Sequence, residues 1–203
     1  MIENNPEQPE ENITSGLSSL KLLILSLVSA NIYVFFSFLI IRYWHDGDVF
    51  DLFNSSFSVW MQLGIGVGVG IVLAVVVYVV ITYTPVSDIL SDFSVFNALS
   101  EAEFSVLDNG QLSFFAGAGE ELLFRGAIQP LLGNTVTSII FISIHGYFKF
   151  RSPAHIFFGV MMFVLSFTLG VLFEEVGLIC AMAAHAIYDL IMLVAIQRKK
   201  KLL

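Results

Sequence analysis

One cysteine, five prolines and nine basic residues among 203 leave out much of what other protein classes are built on. A single thiol, Cys180, has no partner for an intrachain disulfide, so no disulfide framework holds this fold and the residue is expected as a buried apolar filler. Basic residues are outnumbered by seventeen acidic ones, for a net charge of −8, which argues against a nucleic-acid partner. No lysine or arginine precedes Lys21, so the basic n-region of a cleavable signal peptide is absent. Charge of either sign is scarce, at 13%, while 57% of residues are hydrophobic and the mean hydropathy is +0.85. That balance excludes an ordinary water-soluble domain and predicts an integral membrane protein.

What is present is long apolar runs. About 20 helical residues cross ~30 Å of hydrocarbon, and six segments approach or exceed that length, near 22–41, 57–82, 112–132, 134–150, 154–172 and 176–196. The expected fold is all-α, a polytopic membrane helical bundle of about six transmembrane helices. An acidic, proline-containing leader over 1–20 is expected to be disordered, and 21–203 to form one transmembrane domain whose motif-bearing core covers about 112–196. With both termini inside, Lys21, Lys149, Arg151, Arg198, Lys199, Lys200 and Lys201 face the cytoplasm and only Arg42 faces away. The compact size suits a bacterial plasma membrane.

Between the second and third spans, Val86, Ile89, Leu90, Phe93, Phe96 and Leu99 recur at helical spacing opposite Asp88 and Asp92. An interfacial amphipathic helix is expected there, bounded by Pro85, with Ser100 and Glu103 as a capping box for the next helix. In the second span Gly64, Gly66, Gly68 and Gly70 alternate, and the 64/68 and 66/70 pairs predict close helix contact.

Six groups that can carry charge lie inside the apolar runs: Glu120, Glu121, Arg125, His145, His185 and Asp189. At mid-bilayer each full charge costs ~2.5–3.5 kcal/mol, so their survival implies mutual pairing around a hydrated cavity. Glu121 and Arg125 are four apart on one helical face and are expected to pair, which leaves Glu120, rotated ~100°, for another task. His185 and Asp189 are also one turn apart. At ~1.5 Å per residue, Glu120, His145, His185 and Asp189 all fall within ~17 Å of the cytoplasmic ends of their spans, consistent with one shared pocket. Glu174 and Glu175 lack an arginine one turn on and read as a solvated loop, and His45 and His155, at span ends, read as wet imidazoles. Pro130 removes a backbone bond to the Gly126 carbonyl and predicts a kink.

Glu-Glu-Leu-Leu-Phe-Arg-Gly from Glu120, then Phe141-x-x-x-His145, then His185-x-x-x-Asp189, resembles the CPBP (CaaX protease and bacteriocin-processing, or Abi) intramembrane endopeptidases over roughly 117–193. The resemblance implies hydrolysis of a peptide bond in a membrane-associated protein or peptide, such as a prenylated CaaX protein, a bacteriocin precursor or a sorting signal. It assigns water activation to Glu120 and His145. Amide hydrolysis also needs a stabilised oxyanion and a proton for the leaving amine. Arg125 would fix Glu121, and His185 would donate toward the carbonyl oxygen. Asp189 stands where the family pattern has Asn or Asp, and either donates as a neutral acid or accepts from His185 and orients it. A metal-free glutamate mechanism is favoured, against a zinc site of Glu120, His145 and His185. The rival classes are a proton-coupled transporter and a catalytically silent partner or immunity protein. No repeated half, as a transporter would show, is visible.

Overall fold

The computed structural model describes residues 18–45 and 47–200, the side chains of 199 and 200 excepted. The leader is outside the described residues up to position 17, as are the side chains of the basic run from Lys199 onward. Among the described residues, seven α-helices make up the bundle: α1 (Ser19–Trp44), α2 (Val59–Tyr83), α3 (Ser94–Glu101), α4 (Val106–Glu121), α5 (Gln129–Ile144), α6 (Pro153–Glu175) and α7 (Leu178–Lys200). A π-helical stretch, Leu122–Ile128, joins α4 to α5, and 3-10 turns occupy Val49–Phe53 and Pro85–Asp92.

Among the described residues, five helical segments are long and apolar enough to cross a membrane, where the sequence suggested about six. The third and fourth expected spans belong to one of these, the 39-residue segment Val106–Ile144. It is not straight. Within α5, Gly133 adopts φ 76°, ψ 161°, a left-handed conformation that L side chains rarely take. Along an unbroken helix Glu120 and His145 would stand ~37 Å apart, yet their side chains approach to 3.6 Å. The chain therefore reverses at Gly133. Phe124 packs on Phe141 with ring centroids 5.0 Å apart, as two antiparallel arms require. The second arm ends at Ile144, so 145–150, expected as helix, is loop; the first begins at Val106, earlier than 112.

The amphipathic stretch is also broken. Pro85 opens a 3-10 turn, Phe93 separates it from α3 in extended conformation, and Ser100 lies inside α3 without forming a capping box. The capping box is built instead by Ser105 and Asp108, each bonded to the other's backbone N–H. Phe93 decides the break: its ring is buried among Tyr147, His155 and Phe158, with Lys149 Nζ 4.8 Å above it. This pins the segment to α6, against the bundle.

α2 lies against α7 through the expected small-residue stripe, but only one of its two faces. A methyl group on Gly66 or Gly70 would sit 2.5 Å from the Cys180 or Ala184 carbonyl oxygen, whereas nothing lies within 4 Å of Gly64 or Gly68. Cys180 is fully buried, as an apolar filler.

Candidate functional site

The Gly133 reversal does the first half of the assembly. Glu120 is thirteen residues before the turn and His145 twelve after it, so arms of nearly equal length bring the two to one level. α7 supplies the other half by running antiparallel to α4. Asn109 and Gln197 exchange two side-chain hydrogen bonds of 3.1 Å, and in the same register Glu121 meets His185. All six charged or ionisable residues singled out from sequence are thereby gathered.

At the centre, Glu121 and Arg125 have no solvent exposure, with Oε2 and Nε 3.1 Å apart. Arg125 Nη2 donates to the Ser166 carbonyl at 2.9 Å and lies 3.0 Å from its hydroxyl, while its guanidinium carbon is 5.0 Å from the centre of the Phe141 ring. A charge so buried is held by partners on three elements, as desolvation demands. Glu121 has a second task that spacing within one helix did not reveal: its Oε1 accepts from His185 Nδ1 at 2.8 Å. That bond sets the orientation of the ring, leaving Nε2 3.5 Å from Asp189 Oδ2.

Glu120 points away from this cluster, as the helical rotation predicted, toward His145. His145 Nδ1 donates to the Phe141 carbonyl at 2.7 Å, so Nε2 is the nitrogen that faces Glu120. The ring stacks between Phe141, at 4.3 Å, and Tyr147, at 5.7 Å. Glu120, His145, His185 and Asp189 all line one cavity of about 410 Å³. Tyr33, Tyr147 and Tyr188 line it as well, and its apolar lining comes from α1, α3, α4, α5, α6 and α7.

Among the described residues no three His, Cys, Asp or Glu side chains are grouped to hold an ion. His185 has Nδ1 bonded to Glu121 and Nε2 3.5 Å from Asp189 Oδ2.

Three residues read as ordinary surface groups have structural work. His155 is buried, with Nδ1 2.8 Å from Ser152 Oγ and Nε2 2.9 Å from Asp92 Oδ2, and is not a wet imidazole. His45 Nε2 donates to the Ala127 carbonyl at 2.9 Å, within the π stretch whose ladder is displaced just before Pro130. Glu174 is exposed but sits in the last turn of α6, not in a loop, and accepts from the buried Gln129 Nε2 at 2.7 Å. The bonds from these residues to Ala127, Asp92 and Gln129 span 45 to 82 positions and leave no local signal.

No solved structure matches the chain. It is 37% identical over 79 residues to the uncharacterized protein YpbD of Bacillus subtilis (strain 168), an alignment that takes in 38% of this chain and 40% of that one. Residues 103–191, the stretch that carries the Glu120–Arg125 turn, His145, His185 and Asp189, match the Rce1-like family, described as type II CAAX prenyl endopeptidase.

Proposed function

We propose that this chain is an intramembrane endopeptidase that hydrolyses a peptide bond of a membrane-associated protein or peptide, with Glu120 and His145 activating the water. The observation that carries the reading is the 3.6 Å approach of Glu120 Oε2 to His145 Nε2 on the wall of a largely apolar cavity. A water ~2.8 Å from each atom fits beside that gap. With Nδ1–H committed to the Phe141 carbonyl, Nε2 of a neutral ring is an acceptor, as is the carboxylate. The water then donates one hydrogen to each and turns a lone pair outward. Glu120 takes the proton as the oxygen attacks the carbonyl carbon, and returns it to the departing amine.

The Glu121–Arg125 pair, in this reading, holds His185 in place, and His185 with Asp189 forms the far wall against which the carbonyl sits. No step runs through a metal. Candidate substrates are CaaX-like, bacteriocin or sorting-signal precursors, met in a bacterial plasma membrane with both termini of the enzyme in the cytoplasm.

Glu120→Ala and His145→Ala, made separately, test the proposal. Each should lower turnover on the order of 10²–10⁴-fold, the usual range for a lost general base, and cause an uncleaved membrane-associated precursor to accumulate. Folded variants that leave the membrane peptide profile unchanged would favour a proton-coupled transporter or a silent partner instead.

A further inference from the structure

The cavity contains more hydrogen-bond acceptors than free donors around the place where a carbonyl would react. Glu120 and Asp189 are carboxylates, His145 Nδ1 is committed to a backbone oxygen, and His185 Nδ1 is committed to Glu121. His185 Nε2 faces Asp189. An ionised Asp189 accepts and cannot donate, so the developing oxyanion is left with at most one nitrogen that is already turned to a competitor.

Of the hydroxyls lining the same cavity, Ser26 already donates to the Leu23 carbonyl at 2.8 Å, while those of Ser29, Tyr33, Tyr147 and Tyr188 make no hydrogen bond among the described residues. Of these, Tyr147 is the one whose ring stacks on His145. Its hydroxyl makes no hydrogen bond among the described residues, although its ring is fixed on three sides: stacked at 17° on His145, edge-on to Phe158 at 5.6 Å, and 5.9 Å from Phe93. Its backbone is held as well, the N–H donating to the Ile142 carbonyl and the carbonyl packed against Gly159, where any added methyl would come within 3.1 Å. A rigid ring with an unused phenol beside the water-binding imidazole is a preorganised donor.

We infer that Tyr147 is a further catalytic residue, whose phenol donates a hydrogen bond to the scissile carbonyl oxygen as it becomes an oxyanion. The inference rests on the endopeptidase reading above. Tyr147 lies in the loop after α5, and burial, with the negative charge of Asp189 and Glu120 added, pushes its phenol up. It therefore stays protonated and able to donate across the whole range in which the protein is handled. The role also accounts for an aspartate at position 189: with the phenol as donor, the reaction does not need an amide there.

Tyr147→Phe removes only the hydroxyl and keeps the ring that cages His145 and Phe93. The assay uses the full-length protein in proteoliposomes with a fluorogenic farnesylated peptide ending in a CaaX sequence, and a non-prenylated membrane-anchored peptide alongside. Expected is a fall in kcat on the order of 10²–10³-fold, the usual loss for one oxyanion donor, with KM changed little. Thermal unfolding within a few degrees of wild type shows that the cage survives. Unchanged kcat in Tyr147→Phe, while Glu120→Ala is inactive, overturns the role of the phenol and leaves the endopeptidase reading intact. A raised KM at unchanged kcat also overturns it, because the hydroxyl then binds substrate without stabilising the transition state. Wild type that cleaves neither peptide counts against the endopeptidase reading, and this role falls with it.

Discussion

Arg125→Met swaps a guanidinium without solvent exposure for an apolar side chain of similar reach, and its cost can be worked from the bonds the guanidinium makes. Gone are the 3.1 Å ion pair with Glu121 and the two interactions with Ser166 at 2.9 and 3.0 Å. The Ser166 carbonyl belongs to α6 and keeps its place in the helical ladder, so the charge left on Glu121 dominates. Removing one member of a buried pair costs about 3–5 kcal/mol. Glu121 Oε1 still accepts from His185, which places this case at the lower end, near ~3 kcal/mol. For a chain of this length each kcal/mol moves the midpoint by about 2–4 °C, so Tm should fall by roughly 6–12 °C. Cys180, the only cysteine and fully buried, gives the readout, since a thiol-reactive fluorophore labels it only as the bundle opens. Adding Glu121→Leu to Arg125→Met removes the orphaned charge and should recover most of the lost stability, less about 1–3 kcal/mol for the His185 N–H left without its acceptor. Activity should not return, because nothing then orients His185. A single variant melting within about 2 °C of wild type would refute the account.

Three further outcomes are expected. Gly70→Ala drives a methyl into the Ala184 carbonyl and should destabilise by about 1–3 kcal/mol, while Gly68→Ala, with open space, should be neutral or stabilise by up to ~1 kcal/mol, both read from the same melts. Purified protein should hold no stoichiometric zinc by elemental analysis and keep its turnover after chelation; activity lost to a chelator and restored by zinc would replace the glutamate mechanism. Asp189→Asn should slow turnover by at least about tenfold if the carboxylate orients His185, and retention of the full rate would make that position a simple donor instead.

Spacing within one helix was enough to read much of the site. The pairing of Glu121 with Arg125, the separate direction of Glu120, and a close helix contact along the α2 glycines, met at Gly66 and Gly70 but not at Gly64 and Gly68, all come from the 3.6-residue repeat, which depends on nothing distant. The division between two apolar runs near 133 was legible from run length, although both were expected as full spans. The length of the second arm was not, because apolar residues as far as Phe150 continue the hydropathy signal after the helix has stopped at Ile144. Links between elements escaped for a different reason. Glu121 to His185, His155 to Asp92 and His45 to the Ala127 carbonyl depend on which faces meet, and that is decided by packing across the whole bundle. Tyr147, two residues beyond a motif histidine, carries no pattern that separates it from any aromatic at a helix end.

The short arm after Gly133 bears on how the lipid meets this protein. From 134 to 144 the chain climbs only ~16 Å, about half the ~30 Å thickness of a hydrocarbon layer. With the tip at one face, the loop that starts at His145 begins well below the opposite face, and irregular backbone at such depth is stable only against protein or solvent. That loop carries Lys149, whose Nζ donates to the Asp92 carbonyl, and Arg151, whose Nη1 lies 3.9 Å from Asp92 Oδ2, so both cations are tied to the segment before α3. Where the arm falls short of the hydrocarbon thickness, it is protein contact with the segment before α3, not lipid, that shelters the loop backbone.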